Sequence, residues 1–275
     1  MIHLLLTTVD DVLDTGDRLL GRTGGVGASA LVDAVDRAAA GTKRAEPDRR
    51  RTLAGRLALR LLSCAVQGRP LSEAPSLRID RTCDRCGAPH GRPRLTDHSA
   101  STSSSGRLVI AAVAGDADSV GVDVEEYPKS LWDGFDDHAL HPAERNTVPS
   151  GRDGLVSRVQ TWTDKEALLK SAGVGLRSEP AGFRIAATPT KGTTTTGHHG
   201  WRPVAQSDDP GLTAIWTTTV NAGERAAASV AAARPIAIQT WTMRDRGPET
   251  VTSALLQLGA TRGGCELVGR SLSLS

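Results

Sequence analysis

VGVDVE, residues 120–125, decides the reading of this chain, because Val120, Val122 and Val124 alternate with Gly121, Asp123 and Glu125. That period belongs to a strand with one apolar face. Side chains at i and i+2 of a strand point the same way about 7 Å apart, so burying the valines projects Asp123 and Glu125 together from the other face. Two carboxylates so placed can reach one hard cation, or can simply form a strand's polar face. Upstream, residues 108–114 (LVIAAVA) form a continuous apolar run. With a turn over residues 115–119, the two runs predict a hairpin with one buried face.

Downstream, a helix is predicted over residues 155–172 and ended by Gly173. Trp162, Glu166, Leu169 and Lys170 share one of its faces, and Glu166 stands four residues before Lys170. Taken alone, that spacing is a surface ion pair worth a few tenths of a kcal/mol. If the helix packs beside the strand, Glu166 becomes a third acid in a site suited to Mg²⁺, which takes oxygen ligands and shares substrate phosphates. Lys170 would then neutralise phosphate charge.

The chain has 275 residues, enough for one or two domains with a substantial core. Lys and Arg number 33 against 31 Asp and Glu, a net charge of +2 that argues against a chain-wide nucleic-acid footprint. Five Trp, two Phe and one Tyr are too few for a broad stacking surface. Four cysteines, Cys64, Cys83, Cys86 and Cys265, do not make a secreted disulfide framework. No run reaches the roughly 20 apolar residues of a membrane span, and the opening is too short for a signal sequence. A cytoplasmic protein without membrane or nucleic-acid partners is expected.

Residues 3–9 read as an opening strand, followed by some thirty residues of helical character. A helix is predicted over residues 47–62, with Pro47 in its first turn and Leu53, Leu57 and Leu61 as its apolar stripe. Arg49, Arg50, Arg51, Arg56 and Arg60 flank that stripe and read as a solvated face. Residues 83–94 form a Gly/Pro-rich loop, and residues 99–106 a polar turn. Residues 212–220 and 226–233 are strand candidates. Cys83, Cys86 and His90 invite a zinc reading, but a structural zinc takes four ligands and no second pair lies at finger spacing. The loop reading therefore leads. His138, His141, His198 and His199 read as surface-loop residues.

HGRP at 90–93, SSSG at 103–106, GVDVE at 121–125, HPAE at 141–144 and WTDKEALLKSAGVGL at 162–176 together resemble the ordered motifs of Sfp-like 4′-phosphopantetheinyl transferases. The likeness covers roughly residues 45–240. It implies an α+β fold, a pseudo-twofold pair of similar two-layer halves with coenzyme A bound at their interface. The halves expected are residues 1–119, contacting the coenzyme A 3′-phosphate and adenine, and 120–243, carrying the metal carboxylates, with 244–275 as a tail. By the resemblance Asp123, Glu125 and Glu166 hold Mg²⁺, with Mn²⁺ as an alternative. Arg51, Thr52 and Arg92 hold the 3′-phosphate and adenine end, while Ser103, Ser104, Lys165 and Lys170 lie near the phosphates. Glu144 matches the acid of a short middle motif. The family usually has histidine where Ser104 aligns.

The activity implied is transfer of the phosphopantetheine arm of coenzyme A to a serine of an apo acyl or peptidyl carrier protein, releasing adenosine 3′,5′-bisphosphate. Glu166 would act as base and Lys170 at the leaving group. The carriers would be those of fatty acid, polyketide or nonribosomal peptide synthesis, and the enzyme a monomeric pseudodimer. Three acids and a lysine also suit a Mg²⁺-dependent nuclease or phosphohydrolase. A binding module, either a degenerate transferase that holds carrier protein or one stabilised by zinc on Cys83, Cys86 and His90, is the alternative outside catalysis.

Overall fold

The computed structural model describes residues 1–115, 119–175, 178–187 and 200–243. The fold is mixed α+β and divides into two units, one of residues 1–117 with the strand from Ile238, the other of residues 118–237. The sequence expectation placed residues 238–243 in the second half. Ile238–Trp241 instead runs parallel to the opening strand, Ile2 opposite Ile238, which draws it into the first sheet.

In the first unit the strands are β1 (Ile2–Thr8), β2 (Arg94–Leu95), β3 (His98–Ser105) and β4 (Leu108–Gly115). With Ile238–Trp241, here β10, they form one sheet in the order β10-β1-β4-β3-β2. Three short helices, α1 (Val9–Leu19), α2 (Val26–Ala30) and α3 (Ala34–Gly41), account for the helical stretch after β1. Helix α4 (Glu46–Val66) has Pro47 in its first turn, where the missing N–H costs nothing. Leu57 and Leu61 enter a core with Leu5, Val109, Ala111 and Val113, so the i, i+4 leucines lie against the sheet as the period requires.

Two expectations are corrected here. Residues 99–105 are no turn but most of β3, because Ser and Thr complete an eight-residue antiparallel ladder with β4, from His98 opposite Gly115 to Ser105 opposite Leu108. Arg60 is not on a solvated face. It is fully buried, donating from Nε to Asp36 (2.7 Å) and from Nη1 to the carbonyls of Ala74 (2.8 Å) and Leu77 (2.9 Å), with Nη2 on Asp33. Asp36 also faces Arg56 (3.0 Å) and Arg81 (3.2 Å). Burial, with Arg56 nearby, pushes the Arg81 guanidinium down to about 10.

The second unit contains β5 (Val120–Glu126), β6 (Phe183–Ile185), β7 (Arg202–Ser207), β8 (Trp216–Val220) and β9 (Ala226–Ala232) in the order β5-β9-β8-β7-β6. The hairpin expected between β4 and β5 does not form. Each strand finds a full-length partner in its own sheet, β4 with β1 and β3, and β5 with β9 from Val120 opposite Ala232 to Glu126 opposite Ala226. Helices α5 (Phe135–Ala139), α6 (Pro142–Arg145) and α7 (Gly151–Ala172) complete the unit. Helix α7 starts a turn earlier than expected and stops where expected, at Gly173 with φ of 73°. Each unit is thus a five-stranded sheet with one long helix against it. Among the described residues no helix is long and apolar enough to cross a membrane.

Candidate active site

Gly121 explains how the acids meet the helix. A Cβ there would stand 2.0 Å from the Ala167 carbonyl and 2.4 Å from Ser171 N, so only glycine lets β5 approach α7 this closely. Asp123 and Glu125 share the Gly121 side of the strand, which brings them toward the helix. That face is covered: Asp123 is only 2% exposed, where an open strand face was expected. Lys170 Nζ donates to Asp123 Oδ1 at 2.6 Å. Burial would lower the Lys170 ammonium, but the Asp123 charge and hydrogen bond, joined by Glu166 and Glu125, raise it instead. All three acids therefore act on one cation.

Glu166 is the least satisfied of the group. Its Oε1 is buried without a hydrogen-bond partner among the described residues. Burial raises its carboxyl above the ordinary range and Asp123 adds to the rise, against the pull of Lys170. A buried, unpartnered carboxylate oxygen beside two further acids is a donor set of the hard-oxygen kind that fits Mg²⁺ or Mn²⁺. Among the described residues, however, the three metal-binding side chains whose ligand atoms all lie within 4.8 Å are Cys83, Cys86 and His90, not these acids. The cation at the acids is Lys170. The helix face expected from the sequence is also divided: Trp162 packs with Phe135 of α5, and Leu169 joins Phe183 and Ile185 in the core.

Lys165 departs from the phosphate role that the resemblance implied. It is fully buried, and its three donors go to the Ala139 carbonyl (2.9 Å), Glu144 Oε2 (2.7 Å) and the Pro180 carbonyl (2.9 Å). An ammonium has three N–H groups, and all are engaged. Burial lowers this lysine, with Glu144 opposing. Glu144 also accepts from His141 N at 2.9 Å as the return half of a capping box, and from Ile185 N at 3.3 Å. The pair therefore ties α6, α7 and β6 together. His141 supplies the other half of the box and His138 lies 5.5 Å from the Trp162 ring, so each has a local partner.

In the first unit, a cavity of about 660 Å³ gathers Arg51, Thr52, Ser103 and Ser104, with Lys43 and His90. Ala34, Val35, Ala38 and Ala39 of α3 give it an apolar wall. Arg51 pairs with Asp48 at its rim. Arg92 is not among the lining residues; its Nη2 donates to Ser99 Oγ at 2.8 Å. Burial, with Arg94, lowers its guanidinium. His198, His199, Cys265 and the tail 244–275 lie outside the described residues.

Sequence reading passed over Asp164, one residue before Lys165. It is 1% exposed and accepts from Ser229 Oγ (2.6 Å) and Gln160 Nε2 (3.1 Å) while pairing with Arg202. Its signal was an acid on the apolar side of the helical period.

Residues 119–231 match the 4′-phosphopantetheinyl transferase superfamily. The matched span holds Asp123, Glu125, Glu144, Lys165, Glu166 and Lys170. No curated protein matches the chain.

Proposed function

We propose that this protein transfers the 4′-phosphopantetheine arm of coenzyme A to a serine hydroxyl of an apo acyl or peptidyl carrier protein, in the manner of Sfp-like enzymes. The observation that carries the reading is the Glu166 carboxylate, whose Oε1 is buried without a partner among the described residues, near Asp123 and Lys170 within the matched span. Asp123, Glu125 and Glu166 would hold Mg²⁺ or Mn²⁺, which when bound supplies charge neutralisation to the pyrophosphate.

Glu166 accepts the serine proton, and its burial favours the protonated form that results. The serine Oγ–phosphorus bond forms as the pyrophosphate oxygen leaves with adenosine 3′,5′-bisphosphate. Lys170 remains cationic under the influence of Asp123 and offsets charge on that leaving phosphate. No nucleophile of this chain is needed, because the partner brings it. Arg51, Thr52, Ser103 and Ser104 offer a polar wall for the nucleotide end of coenzyme A, opposite an apolar wall suited to adenine. Carriers of fatty acid, polyketide or nonribosomal peptide synthesis are the recipients, and a monomer in the cytoplasm is the working form.

Glu166→Gln tests the reading. Transfer should fall by about 10²- to 10⁴-fold, the usual cost of losing a general base, with the thermal midpoint nearly unchanged. A variant that transfers at the original rate would remove Glu166 from the chemistry.

A further inference from the structure

The loop from Arg81 to Arg92 has almost no apolar filling; residues 84–87 are exposed and Cys83 and Ala88 half-buried. Its backbone is nevertheless drawn tight. Cys83 N donates to the Ala88 carbonyl, Gly87 N to the Cys83 carbonyl and His90 N to the Ala88 carbonyl, each at 2.9 Å, and Gly91 N to the Arg81 carbonyl at 2.7 Å. Gly87 adopts φ of 71°, and a Cβ on Gly91 would stand 2.6 Å from the Thr82 carbonyl. This closure brings three soft or borderline ligands to one point. One ligand atom each from Cys83, Cys86 and His90 lies within 4.8 Å of the others, and Cys86 Sγ is 3.0 Å from His90 Nε2. Neither cysteine is in a disulfide. The backbone N–H groups of Cys86 and Arg85 face the Cys83 sulfur.

We propose that Cys83, Cys86 and His90 bind one Zn²⁺, with water in the fourth position, beside the 660 Å³ cavity that Pro89 and His90 help to line. Two thiolates and an imidazole select zinc over the hard cations, and a tetrahedral ion with three protein ligands keeps one open position. The C-x-x-C spacing followed by Gly87 places both sulfurs on one side of the turn. The sequence alone undervalued this site because it lacks a fourth protein ligand, whereas the fold supplies the convergence of the three.

The test uses the full chain, purified without chelator and dialysed first against excess zinc and then against metal-free buffer. Elemental analysis should find one zinc per chain, lost in Cys83→Ser, Cys86→Ser and His90→Ala and kept in Cys265→Ser. The unmodified chain gives a reading independent of folding in variants: iodoacetamide should spare Cys83 and Cys86 when zinc is bound and label both after a chelator. No retained zinc in the dialysed chain would overturn the proposal. So would zinc that survives Cys83→Ser and Cys86→Ser, or alkylation that is equal with and without the chelator.

Discussion

Lys165 and Lys170 show how one motif separates into two tasks. They stand five residues apart on α7, and both matched phosphate-contacting lysines in the sequence, yet their surroundings differ. Lys165 spends every donor on protein acceptors, whereas Lys170 is partly exposed and pairs with a site acid. Lys165→Met should therefore destabilise the fold by about 3 kcal/mol, since removing one member of a buried pair leaves the other uncompensated. The thermal midpoint reports this directly, and the Michaelis constant for coenzyme A should change little in the folded fraction. An unchanged midpoint with a raised Michaelis constant would return Lys165 to the phosphates. Asp123 carries a similar lesson. Because it is buried, Asp123→Ala removes a partner of Lys170 as well as the proposed ligand, and Asp123→Asn is the cleaner probe of chemistry.

At the level of elements, the β5–α7 contact sets the site, and Gly121 sets that contact. Gly121→Ala would place a methyl 2.0 Å from the Ala167 carbonyl, which must shift the helix or the strand. A loss of about 1–3 kcal/mol is expected, the range for overpacking, together with a fall in transfer because Glu166 and Lys170 ride on the same helix. A variant with an unaltered midpoint and rate would contradict the contact. The second element pair, α4 and β3, builds the cavity. Arg51→Ala should raise the apparent Michaelis constant for coenzyme A more than that for 3′-dephospho-coenzyme A, since a charge-assisted bond to an absent phosphate cannot be lost. Equal effects on the two donors would place the 3′-phosphate elsewhere. The strand period of residues 120–125 and the i, i+4 leucines of α4 make these elements legible in the amino-acid order itself, because the apolar residues recur at the strand and helix periods; the burial of Asp123 on the other face of β5 and of Arg60 on α4 is not legible there. The serine-rich β3 is not legible there, as its strand character comes from the ladder offered by β4 and not from its own composition. Arg60 is hidden for the same reason: its acceptors Asp33, Asp36, Ala74 and Leu77 are distant in sequence.

Over the whole molecule, two units of like construction carry different side-chain chemistry. One carries the basic and hydroxyl-lined cavity with the Cys83–Cys86–His90 cluster, and the other the acids and Lys170. The superfamily match falls on the second unit, where the strand and helix motifs lie. The part proposed for the first unit in donor binding is legible only as scattered residues, because Arg51 and Ser103 are joined by the packing of α4 on β3 and not by any local period. The proposed transfer joins one donor and one acceptor. Incubating the full chain with coenzyme A, Mg²⁺ and several apo-carriers, and reading each carrier by intact mass, tests it most directly. The account predicts that a carrier gains the mass of one phosphopantetheine on its serine, with adenosine 3′,5′-bisphosphate released in equal amount and nothing consumed when the carrier is omitted. Unmodified carriers throughout, or breakdown of coenzyme A that proceeds without any carrier, would contradict it.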